Sequence, residues 1–223
     1  MTAIQYQGRK TRRAGSEQRR QAILEAALTI IVREGIRSVR HRAVAKEADV
    51  PLSATTYYFK DISDLIADAF TLFAERAMAD VIEPFRQQAF ALMESFSADD
   101  LKDPAQLERL LKGLSEMTAG FIINEVTQRR GHLIAEQAFL QEAVLDKRLS
   151  DLADLYLRQQ MMLLEGACTL LGSEHPRMDA ELILSTMMTL EQRLLVHPEN
   201  ALMEFVQPRM HNLFSKLLAH AHG

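Results

Sequence analysis

The segment from Gly35 to Leu65, GIRSVRHRAVAKEADVPLSATTYYFKDISDL, restricts the possible folds more than any other part of the chain. It reads as two short helices separated by a tight turn. Arg40 to Ala48 is made of helix formers with Val44, Ala45 and Ala48 on one side, and Asp49-Val50-Pro51 breaks it at once. Leu52 to Phe59 then resumes as a second short helix. A proline in the first helical turn forfeits no hydrogen bond and arrives with φ already set, so Pro51 suits the start of that helix. Asp49 tolerates the left-handed conformation a tight turn demands, though less readily than glycine. Upstream, Ser16 to Glu34 carries Ile23, Leu24, Ala27, Ile30 and Ile31 at helical spacing, with Arg19, Arg20, Glu25 and Arg33 outside the stripe and Gly35 as the stop. Downstream, Asp61 is a fitting N-cap and Asp64 suits the first turn of a fourth helix. Ile62, Leu65, Ile66, Ala69, Phe73 and Ala77 share one face of it as far as Pro84.

No alternating strand pattern stands out in the remainder. Pro51, Pro84, Pro104, Pro176, Pro198 and Pro208 each fall beside an expected helix end. Helices are expected near Phe85 to Phe96, Pro104 to Asn124, Gly131 to Leu145, Asp146 to Leu171, Arg177 to Val196 and Leu202 to His220, with Ser95 to Pro104 the clearest loop. The predicted fold is all-α. A basic arm occupies residues 1–15, a three-helix head 16–60 and a helical body 61–223, with 61–83 linking the two. The chain's 223 residues are enough to bury a full core.

Charge is divided unevenly along the chain. Residues 1–60 carry twelve Lys or Arg and five Asp or Glu, or +7, and the remainder carries fourteen and twenty-five, or −11, which together make the net charge of −4. A basic end joined to an acidic body suits a head that binds a polyanion while the body opposes docking the wrong way round.

Arg42 to Phe59, with Ala45 and Ala48 at A-x-x-A spacing, Val50 in the turn, and Tyr57-Tyr58-Phe59 before Lys60-Asp61, resembles the helix-turn-helix domain of tetracycline-repressor (TetR) family regulators. The helix before it and the long helix after it match that family's order and spacing. The turn departs from the pattern, with Asp49-Val50-Pro51 standing where Gly-Val-Ser is usual. The resemblance implies a sequence-specific transcription regulator, usually a repressor, that is released from DNA by a small effector. It also implies a homodimer on a near-palindromic operator, built by pairing the last two long helices of each copy. Here that maps onto about 177–196 and 202–220, with Leu182, Met187, Leu190, Leu194, Phe205, Leu213 and Leu217 as apolar candidates.

In a helix-turn-helix the second helix enters the major groove and its first residues meet base edges. Leu52, Ser53 and Ala54 are that set here, offering apolar contact and one hydroxyl, and Arg42 is the candidate for a bidentate guanine contact. Thr56, Tyr57, Tyr58 and Lys60 are the candidates for phosphate contacts that set register. The arm Arg9-Lys10-Thr11-Arg12-Arg13 either reaches DNA or is a solvated tail. A non-specific architectural DNA-binding protein is the competing reading of the same basic head.

In the body, Met117, Phe121, Phe139, Tyr156, Met161 and Met162 are candidates to line an apolar effector pocket, with plain core packing as the alternative. Glu125 with Arg129, and His132 with Glu136, are spaced four apart, either as polar pocket groups or as exposed helix pairs. His211, His220 and His222 lack a carboxylate or thiol at ligand spacing, so neither a metal nor a cofactor is expected. The nucleophile elbow, zincin helix and phosphate-binding glycine loop of common enzyme classes are absent from the sequence. The single cysteine, Cys168, flanked by Leu164, Ala167 and Leu171, reads as a small buried hydrophobe in a protein expected in the cytoplasm.

Overall fold

A computed structural model describes residues 14–97 and 99–218, and their regular structure is entirely helical. The arm over 9–13, together with His220 and His222, lies outside the described residues. Two compact units organise the chain: Met1–Met78 with Ile134–Tyr156, and Ala79–Leu133 with Leu157–Gly223. This division is not at residues 60 and 61, because the fourth helix and a returning segment complete the first unit.

The first unit begins with α1 (Ala14–Glu34), α2 (His41–Glu47), α3 (Leu52–Tyr58) and α4 (Ile62–Ala77). Gly35 stops α1 with φ at 84°, its N–H donating to the Ile31 carbonyl at 3.0 Å. The expected stripe of Ile23, Leu24, Ala27, Ile30 and Ile31 is buried, joined by Val39, Val44 and Phe59. Arg20, expected outside that stripe, is buried as well. Its guanidinium donates to Asp68 of α4 at 2.6 Å and to Glu17 at 3.0 Å, so the charge enters the core already compensated.

Asp61 caps α4 by accepting from the Asp64 N–H at 2.8 Å. From Ala67 to Ala74 every side chain of this helix is buried, not one face only. The reason is the return of the chain through α7 (Arg130–Ala143) and the first turns of α8 (Lys147–Leu170). Phe70 stacks on Phe139 with centroids 4.8 Å apart, and Phe73 meets Tyr156 edge-on at 6.0 Å. The Tyr156 hydroxyl donates to the buried Glu136 at 2.6 Å.

Pro84 was an expected helix end, yet the chain passes from α4 through a π turn at Met78–Ile82 directly into α5 (Glu83–Glu94). A proline N–H is missing from the α ladder one turn back, and a widened turn upstream accommodates the gap. Pro208 likewise sits inside a helix, α10 (Met203–Leu218), instead of at its end.

The second unit is organised around α6 (Pro104–Thr127), which packs against α5, α9 (Pro176–Val196) and α10. A Cβ added at Gly113 of α6 would come within 3.1 Å of Leu92, so the glycine admits α5 at close range. The Gln207 amide of α10 donates to Ser115 of α6 at 2.9 Å. Met187, Leu190 and Leu194 of α9 are buried within this unit, because α9 must cover α6 before any second copy. Leu182 is 51% exposed. No helix among the described residues is long and apolar enough to cross a membrane.

Candidate nucleic-acid interface and effector cavity

Helices α2 and α3 are joined by a turn in which Asp49 takes φ of 51°, the only positive φ at a non-glycine among the described residues. The Val50 N–H donates back to the Ala45 carbonyl at 3.0 Å, which closes the turn. Pro51 holds the N-cap position of α3, one residue before its first turn. A forked pair fixes α2 to α1: Arg33 donates to both carboxylate oxygens of Glu47, at 2.9 and 3.3 Å. The hydrogen bonds from Arg33 hold the Glu47 carboxyl below the usual carboxylate range.

The inward side of α3 consists of Thr55, whose hydroxyl donates to the Leu52 carbonyl at 2.8 Å, and Tyr58. The outward side carries Leu52, Ser53, Thr56 and Tyr57, with Ala54 half-buried between. Arg42 on α2 and Lys60 after α3 are exposed too. The structure thus exposes together seven of the eight residues proposed from sequence, in whole or in part. Tyr58 is the exception: its ring is buried, and its hydroxyl lies 2.9 Å from the Ser16 hydroxyl of α1. Tyr57, set edge-on to it at 5.1 Å, is 54% exposed. Successive residues of a helix point about 100° apart, so one tyrosine of the pair anchors the helix and the other faces out. Arg37, Arg40 and Lys46 are further exposed cations of this segment, which the sequence reading left without a role. Their signal was the basic character of the segment, not any one motif.

The pocket candidates separate. Phe139 and Tyr156 belong to the aromatic core of the first unit and are fully buried. Met162 is 58% exposed and Met161 half-buried. Met117 and Phe121, by contrast, line a cavity of about 380 Å3 in the second unit, between α5 and α6. Phe85 and Phe121 face each other there with centroids 4.4 Å apart. In the same wall the Glu125 carboxylate, 2% exposed, lies 3.0 Å from His132 Nδ1 and 3.7 Å from Arg129 Nε. Glu125 therefore pairs with both residues, and Glu136 pairs with Tyr156 in the other unit. A second, apolar void of about 60 Å3 shares Phe85 and Met117 with the first and reaches Cys168. Burial, with Asp179 and Glu165 nearby, pushes the Cys168 thiol up to about 11 and leaves it unreactive at neutral pH.

The sequence matches no protein-family model and no curated protein. Its fold, however, is found in solved structures along most of its length. A transcriptional regulator from Rhodococcus sp. Rha1 superposes with a TM-score of 0.66 at 17% identity, over 92% of this chain and 98% of its own. A TetR-family member from Streptomyces coelicolor gives 0.60 at 22% identity, over 88% and 98%. The multidrug binding protein EbrR, complexed with proflavin, gives 0.57 at 22% identity, over 87% and 99%. The fold of this chain is the one that TetR-family transcriptional regulators share.

Proposed function

We propose that this chain is a TetR-type transcription regulator: a homodimer that binds a near-palindromic operator through α2 and α3 and is released when a small molecule occupies the body. The observation that carries this reading is the outward side of α3. Leu52, Ser53, Thr56 and Tyr57 face solvent beside Arg42 and Lys60, while Tyr58 and Thr55 hold the helix down from within. Such a helix fits a major groove, with Leu52, Ser53 and Ala54 at base edges, Arg42 as the guanine reader, and Thr56, Tyr57 and Lys60 on phosphates.

The shared fold supports the same role, and so does a fold relative that holds proflavin. For pairing of two copies, the outer side of α9 and the start of α10 are available, with Leu182, Val196, Leu202 and Met203 all exposed. Phe205 is covered by the Arg209 and Arg193 guanidiniums, at 3.7 and 5.6 Å from its centroid. The role is that of a cytoplasmic repressor and not of an enzyme.

Fluorescence anisotropy with duplex from the region flanking its own gene, beside scrambled duplex and across a salt series, tests the proposal. Preferential binding that weakens steeply with salt is expected. Arg42→Ala should lower operator affinity by about 1–3 kcal/mol and relax specificity at one base position. Equal affinity for both duplexes would replace this reading with that of an architectural DNA-binding protein.

A further inference from the structure

The seven residues of α3, LSATTYY, include no arginine, lysine, asparagine, glutamine, aspartate or glutamate. Those are the side chains whose polar ends reach and discriminate base edges by hydrogen bonding, the longer ones through two atoms at once. The Thr55 hydroxyl is turned inward and donates to the Leu52 carbonyl at 2.8 Å, so Ser53 brings the one outward hydroxyl of the first turn. The same helix carries the exposed apolar surface of the head. Among the described residues of α1 to α4, the large apolar or aromatic side chains that are exposed are Leu52, at 45%, and Tyr57, at 54%. Leu24, Leu65 and Leu72 are buried and Leu28 is half-buried. A lone exposed leucine is ordinary on a protein surface. This one opens the helix proposed to enter the groove, with the half-buried Ala54 two residues on.

We propose that α3 reads its operator through the C5-methyl groups of thymine, with Leu52 as the specificity-determining residue and the Ala54 methyl beside it. This deepens the regulator reading above and rests on it. In the major groove the thymine methyl is the one methyl group that unmodified bases present, and a leucine side chain set against it removes apolar surface from water on both partners. The Ser53 hydroxyl both donates and accepts, so it selects weakly among bases. Polar discrimination then falls to Arg42 on α2. The operator half-site accordingly combines a guanine for that arginine with thymine against Leu52.

The test exchanges thymidine for deoxyuridine, which removes the methyl and keeps every hydrogen-bonding atom of the base pair. The fragment flanking the gene is amplified with either nucleotide and titrated by fluorescence anisotropy, beside a scrambled fragment made in the same two forms. A buried methyl contributes about fourfold in affinity. With one such contact from each head of a dimer, the deoxyuridine fragment should bind about tenfold more weakly. The scrambled fragment should show no difference, because its phosphates are unchanged. Leu52→Ala puts the best helix former at an exposed position, so the melting temperature should hold, while the preference for thymidine should fall to about threefold or less. A leucine that only supported the helix would, on removal, weaken binding to both fragments equally and leave their ratio intact. A scan of single deoxyuridines then locates the contacted base; cytosine there should bind weakly, and 5-methylcytosine should recover about fourfold by returning the methyl alone. Equal affinity for the thymidine and deoxyuridine fragments, a preference that survives Leu52→Ala, or no recovery with 5-methylcytosine would each overturn the proposal. Preference for the flanking fragment over the scrambled one is read in the same titrations, so the methyl reading can fail while the regulator reading stands.

Discussion

Each unit of this protein buries carboxylates, and the most deeply buried of each, Asp68 and Glu125, are treated differently. Asp68 in the first unit is wholly inaccessible and takes a 2.6 Å hydrogen bond from Arg20, itself buried and set 5.9 Å over the Phe59 ring. Glu125 in the second is as deeply buried, but it stands in a cavity wall with looser counter-charges. A buried charge with short, directional partners is a structural joint. One held by proximity beside empty space has capacity left over, and that is the mark of a binding group. Burial alone does not separate the two; the quality of the pairing does.

The strongest way to break this comparison is Asp68→Ala, which leaves Arg20 buried without its main partner. It should lower the stability of the chain by about 3–5 kcal/mol in urea denaturation. A loss under about 1 kcal/mol would mean that the pair is not a joint at all. Next in size is Tyr156→Phe, which takes the hydroxyl from Glu136 within the same unit and should cost about 1–3 kcal/mol. Asp61→Ala removes the acceptor at the start of α4 and should cost about 1 kcal/mol, read as a lowered melting temperature. Smallest is Glu125→Gln, expected to change stability by less than about 1 kcal/mol, because His132 at 3.0 Å makes no hydrogen bond of ordinary geometry with it and Arg129 at 3.7 Å is 40% exposed. If that variant unfolds as readily as the Asp68 variant, the distinction between joint and binding group collapses.

What the sequence disclosed follows the range of the interactions concerned. The stop at Gly35, the cap at Asp61 and the left-handed turn at Asp49 all depend on neighbours within a few residues, and each stands where the local pattern put it. Arg20 was misplaced because its partner is 48 residues away, and a charge beside an apolar stripe resembles a solvated one until that partner is known. The aromatic candidates divided for the same reason. Phe121 and Phe139 are alike in composition and periodicity, but one borders a void and the other is enclosed by Phe70 and Phe73, a difference made wholly by distant segments. Met187, Leu190 and Leu194 show the limit of apolar periodicity: it identifies a face that must be covered without saying which helix covers it.

The aspartate at the α2–α3 turn has a kinetic consequence. Glycine adopts its φ of 51° without the strain a side chain brings, so Asp49→Gly should raise stability by about 1 kcal/mol. The same change would remove an exposed negative charge from the segment proposed to approach phosphates. Phosphates are alike on every duplex, so in the proposed role the carboxylate would shorten residence everywhere on DNA by a similar factor and leave the ranking of sites unchanged. In the proposed role it therefore sets how long the protein dwells between steps of its search, trading time spent on random DNA for speed in leaving it.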